Sequence, residues 1–138
     1  MIRVVLETSV LVSAVMTPTG LNAQVFDLVT AGKVRAYLTE AVLAEYYRVF
    51  DYERLQHLDR RRIARLRGLL EKAGVKVKSR GLLKISGHDE DNRIYECAAA
   101  AKSDYIVTEN TKHFKEPYRI TRIVTARHLL KLLDAGGE

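Results

Sequence analysis

Acidic side chains stand at four separated places in this chain of 138 residues, each beside a segment with the pattern of a strand or helix. They are Glu7, Glu45, the run Asp89-Glu90-Asp91, and Glu109 with its neighbour Asn110. Carboxylates that converge in a fold repel one another by about 4 kcal/mol per pair at 4 Å and an effective dielectric of 20. Such a cluster needs protonation or a cation, and a divalent metal is the commoner answer. A metal held by carboxylates beside a basic surface indicates phosphate chemistry.

The elements that must position these acids follow from the apolar pattern. Short apolar runs alternate with longer segments of helical period, which predicts βαβ units and an α/β fold with a mostly parallel sheet. Ligands bind beyond the carboxyl ends of the strands in such a sheet, so Glu7 and Glu109-Asn110 are expected at that edge. Strands are predicted at 2–6, 36–38, 75–78, 104–108 and 120–124, and helices at 9–15, 21–31, 40–50, 60–73, 92–102 and 126–133.

Each acid also has a simpler structural explanation. Asp91 falls on the same helical stripe as Ile94, at about 100° per residue, and an inward-facing acid needs a partner; capping or the helix dipole is the alternative. Glu45 borders the apolar stripe of its helix, where pairing with Arg48 is the alternative. Glu7 stands at the carboxyl end of a predicted strand, where an acid indicates a functional site because acids are unfavourable in strands. Helix capping is the alternative.

Positive charge is concentrated in one part of the chain, whose net charge is +6. Between Arg54 and Lys84, Lys and Arg far outnumber the acids, which are Asp59 and Glu71. A basic segment of this kind fits a polyanionic partner, because neutralising phosphates provides most sequence-independent affinity for nucleic acids. The alternative explanation for the basic segment is a solvated helix face whose arginines pair locally. The centre of the segment consists of Arg60, Arg61, Arg62, Arg65 and Arg67.

Length and composition limit the remaining choices. We expect one domain over 1–138. The single cysteine, Cys97, excludes an internal disulfide, and we expect it to be a small buried residue of a helix. No apolar run reaches the roughly 18 residues of a membrane span, and the start at Met1 lacks the layout of a signal peptide. We therefore expect a cytoplasmic protein without a membrane partner.

Three other chemistries lack their sequence signals. There is no glycine-rich phosphate loop, and Glu7-Thr8-Ser9 offers only one carboxylate to a covalent-phosphate mechanism. The histidines show no zinc-ligand spacing, and we expect each of them on the surface or in a loop. They are His57, His88, His113 and His128.

Four motifs in order carry a resemblance that runs over nearly the whole chain. They are LETSVLVSA from Leu6 to Ala14, Leu43-Ala44-Glu45, Asp91-Asn92 before an alanine-rich run, and Thr108-Glu109-Asn110 followed by Lys112-His113-Phe114. In these motifs the chain resembles the PIN-domain family, and it looks most similar to small prokaryotic members that are ribonuclease toxins of toxin–antitoxin pairs. The resemblance implies a three-layer α/β/α sandwich around a mostly parallel central sheet.

The resemblance also implies a metal-dependent endoribonuclease that uses one or two Mg²⁺ or Mn²⁺ ions. Hard oxygen ligands favour these ions over zinc. RNA would be the substrate, its backbone held by the basic segment, with an antitoxin protein and a second copy of the chain as further partners. The residues carried over by position are Glu7, Glu45 and Asp91 as metal ligands, Asn110 as a catalytic partner, and Thr8 and Glu109 in support.

Two departures from the family pattern leave other functions open. The first family acid is normally Asp, and Glu7 is one methylene longer; Asn110 stands where a fourth acid often follows, and it brings no charge. A catalytically weakened PIN domain that binds RNA or regulates a partner is therefore the main alternative. The third hypothesis is an α/β enzyme that does not act on nucleic acid, such as a small phosphatase, whose arginines are merely solvated.

Overall fold

The computed structural model describes residues 1–135, so the end of the predicted single domain, 136–138, lies outside the described residues. Five strands form one parallel sheet in the spatial order β3-β2-β1-β4-β5. The strands are β1 (Arg3–Leu6), β2 (Arg35–Leu38), β3 (Val75–Lys76), β4 (Tyr105–Val107) and β5 (Arg122–Val124). The helices of the described part are α1 (Thr8–Met16), α2 (Leu21–Thr30), α3 (Glu40–Phe50), α4 (Arg60–Ala73), α5 (Asp89–Ala101) and α6 (Ala126–Ala135). The predicted α/β/α sandwich is confirmed.

The central strand β1 sets the position of the sheet edge. Its residues Val4, Val5 and Leu6 are fully buried, as expected for a parallel strand covered on both faces. Leu6 is paired with Val107 of β4. The next residues along the two strands, Glu7 and Thr108, therefore emerge side by side at the carboxyl edge of the sheet.

Most predicted element boundaries are confirmed to within two residues, but α5 begins three residues earlier than predicted, at Asp89. Asp89, Glu90 and Asp91 form its first turn, where negative charge offsets the positive end of the helix dipole. His88 precedes the helix without a side-chain capping bond. Asp91 is therefore inside the helix and is not its cap.

Core packing accounts for the apolar and aromatic residues of α3 and α5. Tyr46 and Phe50 of α3 are buried in the core. Cys97 is fully buried as predicted, and burial raises the pKa of its thiol to about 12. Within residues 1–135, no helix combines the length and apolar character needed to cross a membrane.

Candidate active site

A cavity of about 390 Å³ opens at the carboxyl edge of the sheet, where β1 and β4 end. Helices α1, α3 and α5 form its walls, together with a single 3-10 turn at Glu53–Leu55. The predicted site residues that line it are Glu7, Thr8, Glu45, Asp91 and Asn110. A larger cavity of about 500 Å³, between α5 and residues 118–121, contains none of the predicted site residues.

Glu7 holds the start of α1 and the end of β4 together. Its Oε1 accepts hydrogen bonds from the Ser9 hydroxyl at 2.5 Å and the Thr108 hydroxyl at 2.6 Å. Its Oε2 accepts the backbone N–H of Ser9 at 3.2 Å, so Glu7 is the N-cap of α1. Glu7 therefore caps a helix, as its structural alternative predicted, and it also lines the cavity.

The same hydroxyl groups fix the loop after β4. The Glu109 backbone N–H donates to the Ser9 hydroxyl at 3.0 Å, and the Asn110 backbone N–H donates to the Thr108 hydroxyl at 2.9 Å. These bonds bring Asn110 to the cavity wall. The Glu109 carboxylate lies elsewhere, since its Oε1 accepts the backbone N–H of Ala126 at 3.4 Å and it lines a neighbouring cavity.

Glu45 is placed by the residue that follows it in α3. The Tyr46 hydroxyl donates to the Leu6 carbonyl oxygen at 2.5 Å, which ties α3 to the end of β1 beside Glu7. Burial raises the pKa of Tyr46 well above its usual value, and the nearby Cys97 and Glu7 raise it further. Glu45 itself, with a side chain only 12% exposed, forms an ion pair with Arg48, as the simpler explanation predicted.

Asp91 faces the interior, as the helical stripe predicted, and is 8% exposed. Its Oδ2 accepts a hydrogen bond from the Ser86 hydroxyl at 3.1 Å and lies 3.5 Å from Nδ1 of His113. Asn92 fixes the loop that carries Ser86, accepting the backbone N–H groups of Ile85 and Ser86 at 2.9 and 2.8 Å. A buried side chain thus supplies the partners that an irregular backbone segment requires.

Other residues that were not predicted as site residues also line the cavity, among them Tyr52, Arg54, His88, Glu90 and His113. The rings of His88 and His113 are stacked with their centroids 5.0 Å apart. Both histidines are exposed, as predicted, but their meeting at the cavity depends on loop paths that periodicity does not reveal. The motif Lys112-His113-Phe114, next to Asn110, was the one available signal for His113.

The cavity is anionic and rich in oxygen donors. The carboxylates of Glu7, Glu45, Glu90 and Asp91 line it, against the single guanidinium of Arg54. Oxygen donors of this kind suit Mg²⁺ or Mn²⁺. Among residues 1–135, however, no three His, Cys, Asp or Glu side chains lie close enough together to hold a metal ion. The structure brings the three predicted metal ligands to one cavity. Each carboxylate contacts its own partner there, and the three do not converge on a position for one metal ion.

The five arginines predicted to bind RNA lie on α4, outside this cavity. Arg60 donates to the carbonyl oxygens of Phe50, at 3.0 Å, and Leu55, which ties α4 to the turn beside Arg54. Arg67 lies over the ring of Tyr47, 3.8 Å from its centroid. The remaining three, Arg61, Arg62 and Arg65, are exposed.

Fold and cavity together define an α/β protein with a carboxylate-lined cavity at the carboxyl edge of a parallel sheet. The family model for the PIN domain matches residues 3–112. The chain belongs to the PIN-domain family, as its motifs predicted. A search of curated proteins found no match.

Two solved structures share the fold at low sequence identity. A DNA-bound VapBC structure from Salmonella typhimurium is 16% identical, with a TM-score of 0.61, and the match covers 91% of this chain and 99% of that one. VapBC2 from Rickettsia felis, bound to a DNA fragment from its promoter, is 18% identical, with a TM-score of 0.59 and coverage of 88% and 98%. At these sequence identities the likeness shows a shared fold and nothing further.

Proposed function

We propose that this protein is a metal-dependent endoribonuclease that hydrolyses RNA phosphodiester bonds. The observation that carries the proposal is the anionic cavity lined by Glu7, Glu45 and Asp91, beside the basic helix α4. A phosphate cannot enter a cavity with four carboxylates and one arginine unless a cation offsets their charge. Membership of the PIN-domain family supports the same activity.

In this proposal Glu7, Glu45 and Asp91 would hold one or two Mg²⁺ or Mn²⁺ ions after turning from their present partners. When bound, such an ion lowers the pKa of a coordinated water and stabilises charge on the phosphate. Asn110 adds a neutral amide to the wall, Thr8 supports the start of α1, and Arg54 faces the incoming phosphates. Glu109 contributes through its backbone N–H, which orients the hydroxyl of Ser9.

Cleavage of single-stranded RNA with Mn²⁺ tests this function through Asp91→Asn. Removing a partner of a metal ligand typically costs 10–100-fold, so loss of a ligand is expected to slow cleavage by about 100-fold or more. Asp89→Asn is the matched control, since Asp89 is an exposed acid in the same helical turn and does not line the cavity. Equal cleavage by Asp91→Asn and the parent protein would refute the assignment.

A catalytically weakened PIN domain that binds RNA or regulates a partner is the second candidate. It is favoured by Glu7, whose two carboxylate oxygens already accept three hydrogen bonds. Calorimetric titration with Mn²⁺ separates the candidates, because the nuclease must bind the ion at millimolar concentration or below. Absence of heat from metal binding together with intact RNA affinity would support the weakened domain.

The proposed setting is that of a toxin in a toxin–antitoxin pair, in the cytoplasm, with the whole chain acting as one domain. An antitoxin protein and a second copy of the chain are then the expected partners. What supports this setting is the shared fold with two structures described as VapBC.

A further inference from the structure

An exposed aromatic residue stands on the wall of the carboxylate cavity. Tyr52 is 38% exposed and is not part of the hydrophobic core. Among the large apolar side chains exposed in the described chain, Tyr52 is the one that lines this cavity. The others are Met1, Met16, Leu82 and Ile120. Its apolar ring is therefore available to a ligand that also meets the carboxylates.

The backbone that carries Tyr52 is fixed from several sides. The Tyr52 N–H donates to the Val49 carbonyl oxygen at 3.0 Å, and its own carbonyl oxygen accepts the Leu55 N–H at 2.9 Å. Leu55 is buried, and its carbonyl oxygen accepts a bond from the Arg60 guanidinium. An aromatic ring on a fixed turn loses little conformational entropy when a ligand binds, and this favours affinity.

A cation lies over one face of the Tyr52 ring. The Arg54 guanidinium carbon is 5.5 Å from the centroid of the Tyr52 ring, and Arg54 also lines the cavity. An aromatic ring with a guanidinium over one face is a combination that can bind an unpaired base of RNA, the ring by stacking and the cation through the adjoining phosphate. The exposed, stacked rings of His88 and His113 line the same cavity.

We infer that Tyr52 and Arg54 form a binding site for one unpaired base, with its phosphate, of single-stranded RNA next to the carboxylates. This inference rests on the proposed function and names the form of its substrate. Base-paired RNA keeps its bases stacked inside the helix, so the site selects single strands or loops. Tyr52 acts here as a positioning residue, because it holds the strand and does not touch the reacting atoms.

Fluorescence anisotropy tests the inference with Ca²⁺ present to offset the carboxylate charge and with the probe checked to be intact, so that the readout is binding and not cleavage. The probes are a short single-stranded oligoribonucleotide and a matched oligomer whose ribose positions are abasic. Tyr52→Ala is expected to weaken binding of the first by about 5- to 150-fold, the range for loss of one stacked base. Tyr52→Phe is expected to retain the affinity, and neither variant should alter binding of the abasic oligomer.

Tyr118→Ala is the matched control, because Arg119 lies 5.2 Å from the centroid of the Tyr118 ring in the other, larger cavity. Its RNA affinity should equal that of the parent protein. Unchanged affinity in Tyr52→Ala, or an equal loss for both oligomers, would overturn the inference. The readout is independent of cleavage, so failure of the base site and failure of the nuclease proposal are distinguishable.

Discussion

At the scale of single residues, Glu7 carries two roles that its position imposes together. Position 7 is both the N-cap of α1 and the first acid of the cavity. Short side chains are preferred at an N-cap because they reach the nearby backbone N–H without folding back. The extra methylene of Glu lets its carboxylate reach the hydroxyls of Ser9 and Thr108, which share its charge.

Glu7→Asp is expected to raise Mn²⁺-dependent RNA cleavage, by up to about 100-fold. A displacement near 1 Å can cost that much in rate, and the shorter side chain moves the carboxylate by about one bond length. Calorimetry should show tighter binding of Mn²⁺ by the variant.

Glu40→Asp makes the same change at the exposed first residue of α3, and should leave both measurements as they are. An unchanged or slower rate in Glu7→Asp would show that Glu7 is not what limits activity.

The residue scale also shows what the sequence could and could not supply. Asp91 was placed correctly because helical period alone fixes which face a side chain takes. The hydrogen-bond partners of Glu7 and Asp91 were not predicted. Thr108 reaches Glu7 because of the register between two strands, and Ser86 reaches Asp91 because of the path of a loop. Register follows from pairing between distant segments, which a single sequence does not state.

At the scale of elements, the junction between α4 and β3 requires a residue without a side chain. A Cβ on Gly74 would lie 2.7 Å from the Leu70 carbonyl oxygen and 2.8 Å from a methyl group of Leu38. The first contact is with backbone and cannot be relieved by a side-chain rotation. Gly74 therefore allows α4 to end directly beside the sheet, where β3 pairs with β2.

Gly74→Ala is expected to lower the free energy of unfolding by about 1–3 kcal/mol, the usual cost of overpacking. Gly68→Ala supplies the opposite case within the same helix, since a Cβ there meets no atom within 4 Å. It should raise the free energy of unfolding by about 0.5–1 kcal/mol, because Ala replaces Gly inside a helix. Urea unfolding of both variants measures the difference, and equal effects would contradict the close approach at Gly74.

Helix boundaries were predicted well where a capping residue marks them in the sequence, and poorly where none does. Asp59 before α4 and Gly74 after it gave the bounds of that helix, and Thr39 did so for the start of α3. The start of α5 carried three adjacent acids, any of which could have capped it. The observed cap, His88, makes no side-chain bond, so no capping preference marked the true start.

At the scale of the whole molecule, the net charge of +6 divides into regions of opposite sign. The carboxylates gather at the cavity, while α4 presents Arg61 and Arg65 to solvent on one helical face. Arg60, which joins α4 to the turn beside the cavity, is engaged with backbone carbonyls. In the nuclease proposal, the RNA backbone would lie along α4 and one of its phosphates would enter the cavity.

This separation of charge predicts how RNA binding responds to salt. Affinity for a single strand falls with the logarithm of salt concentration, with a slope of about −0.7 for each phosphate neutralised. The double variant Arg61→Gln/Arg65→Gln should make the slope shallower by about 1.4, whereas Arg127→Gln/Lys131→Gln on α6 should leave it as in the parent protein. Anisotropy titrations across a salt series measure both slopes. If the RNA affinity of the parent protein does not change with salt concentration, the phosphatase hypothesis is favoured, because its arginines do not contact RNA phosphates and so release no counterions.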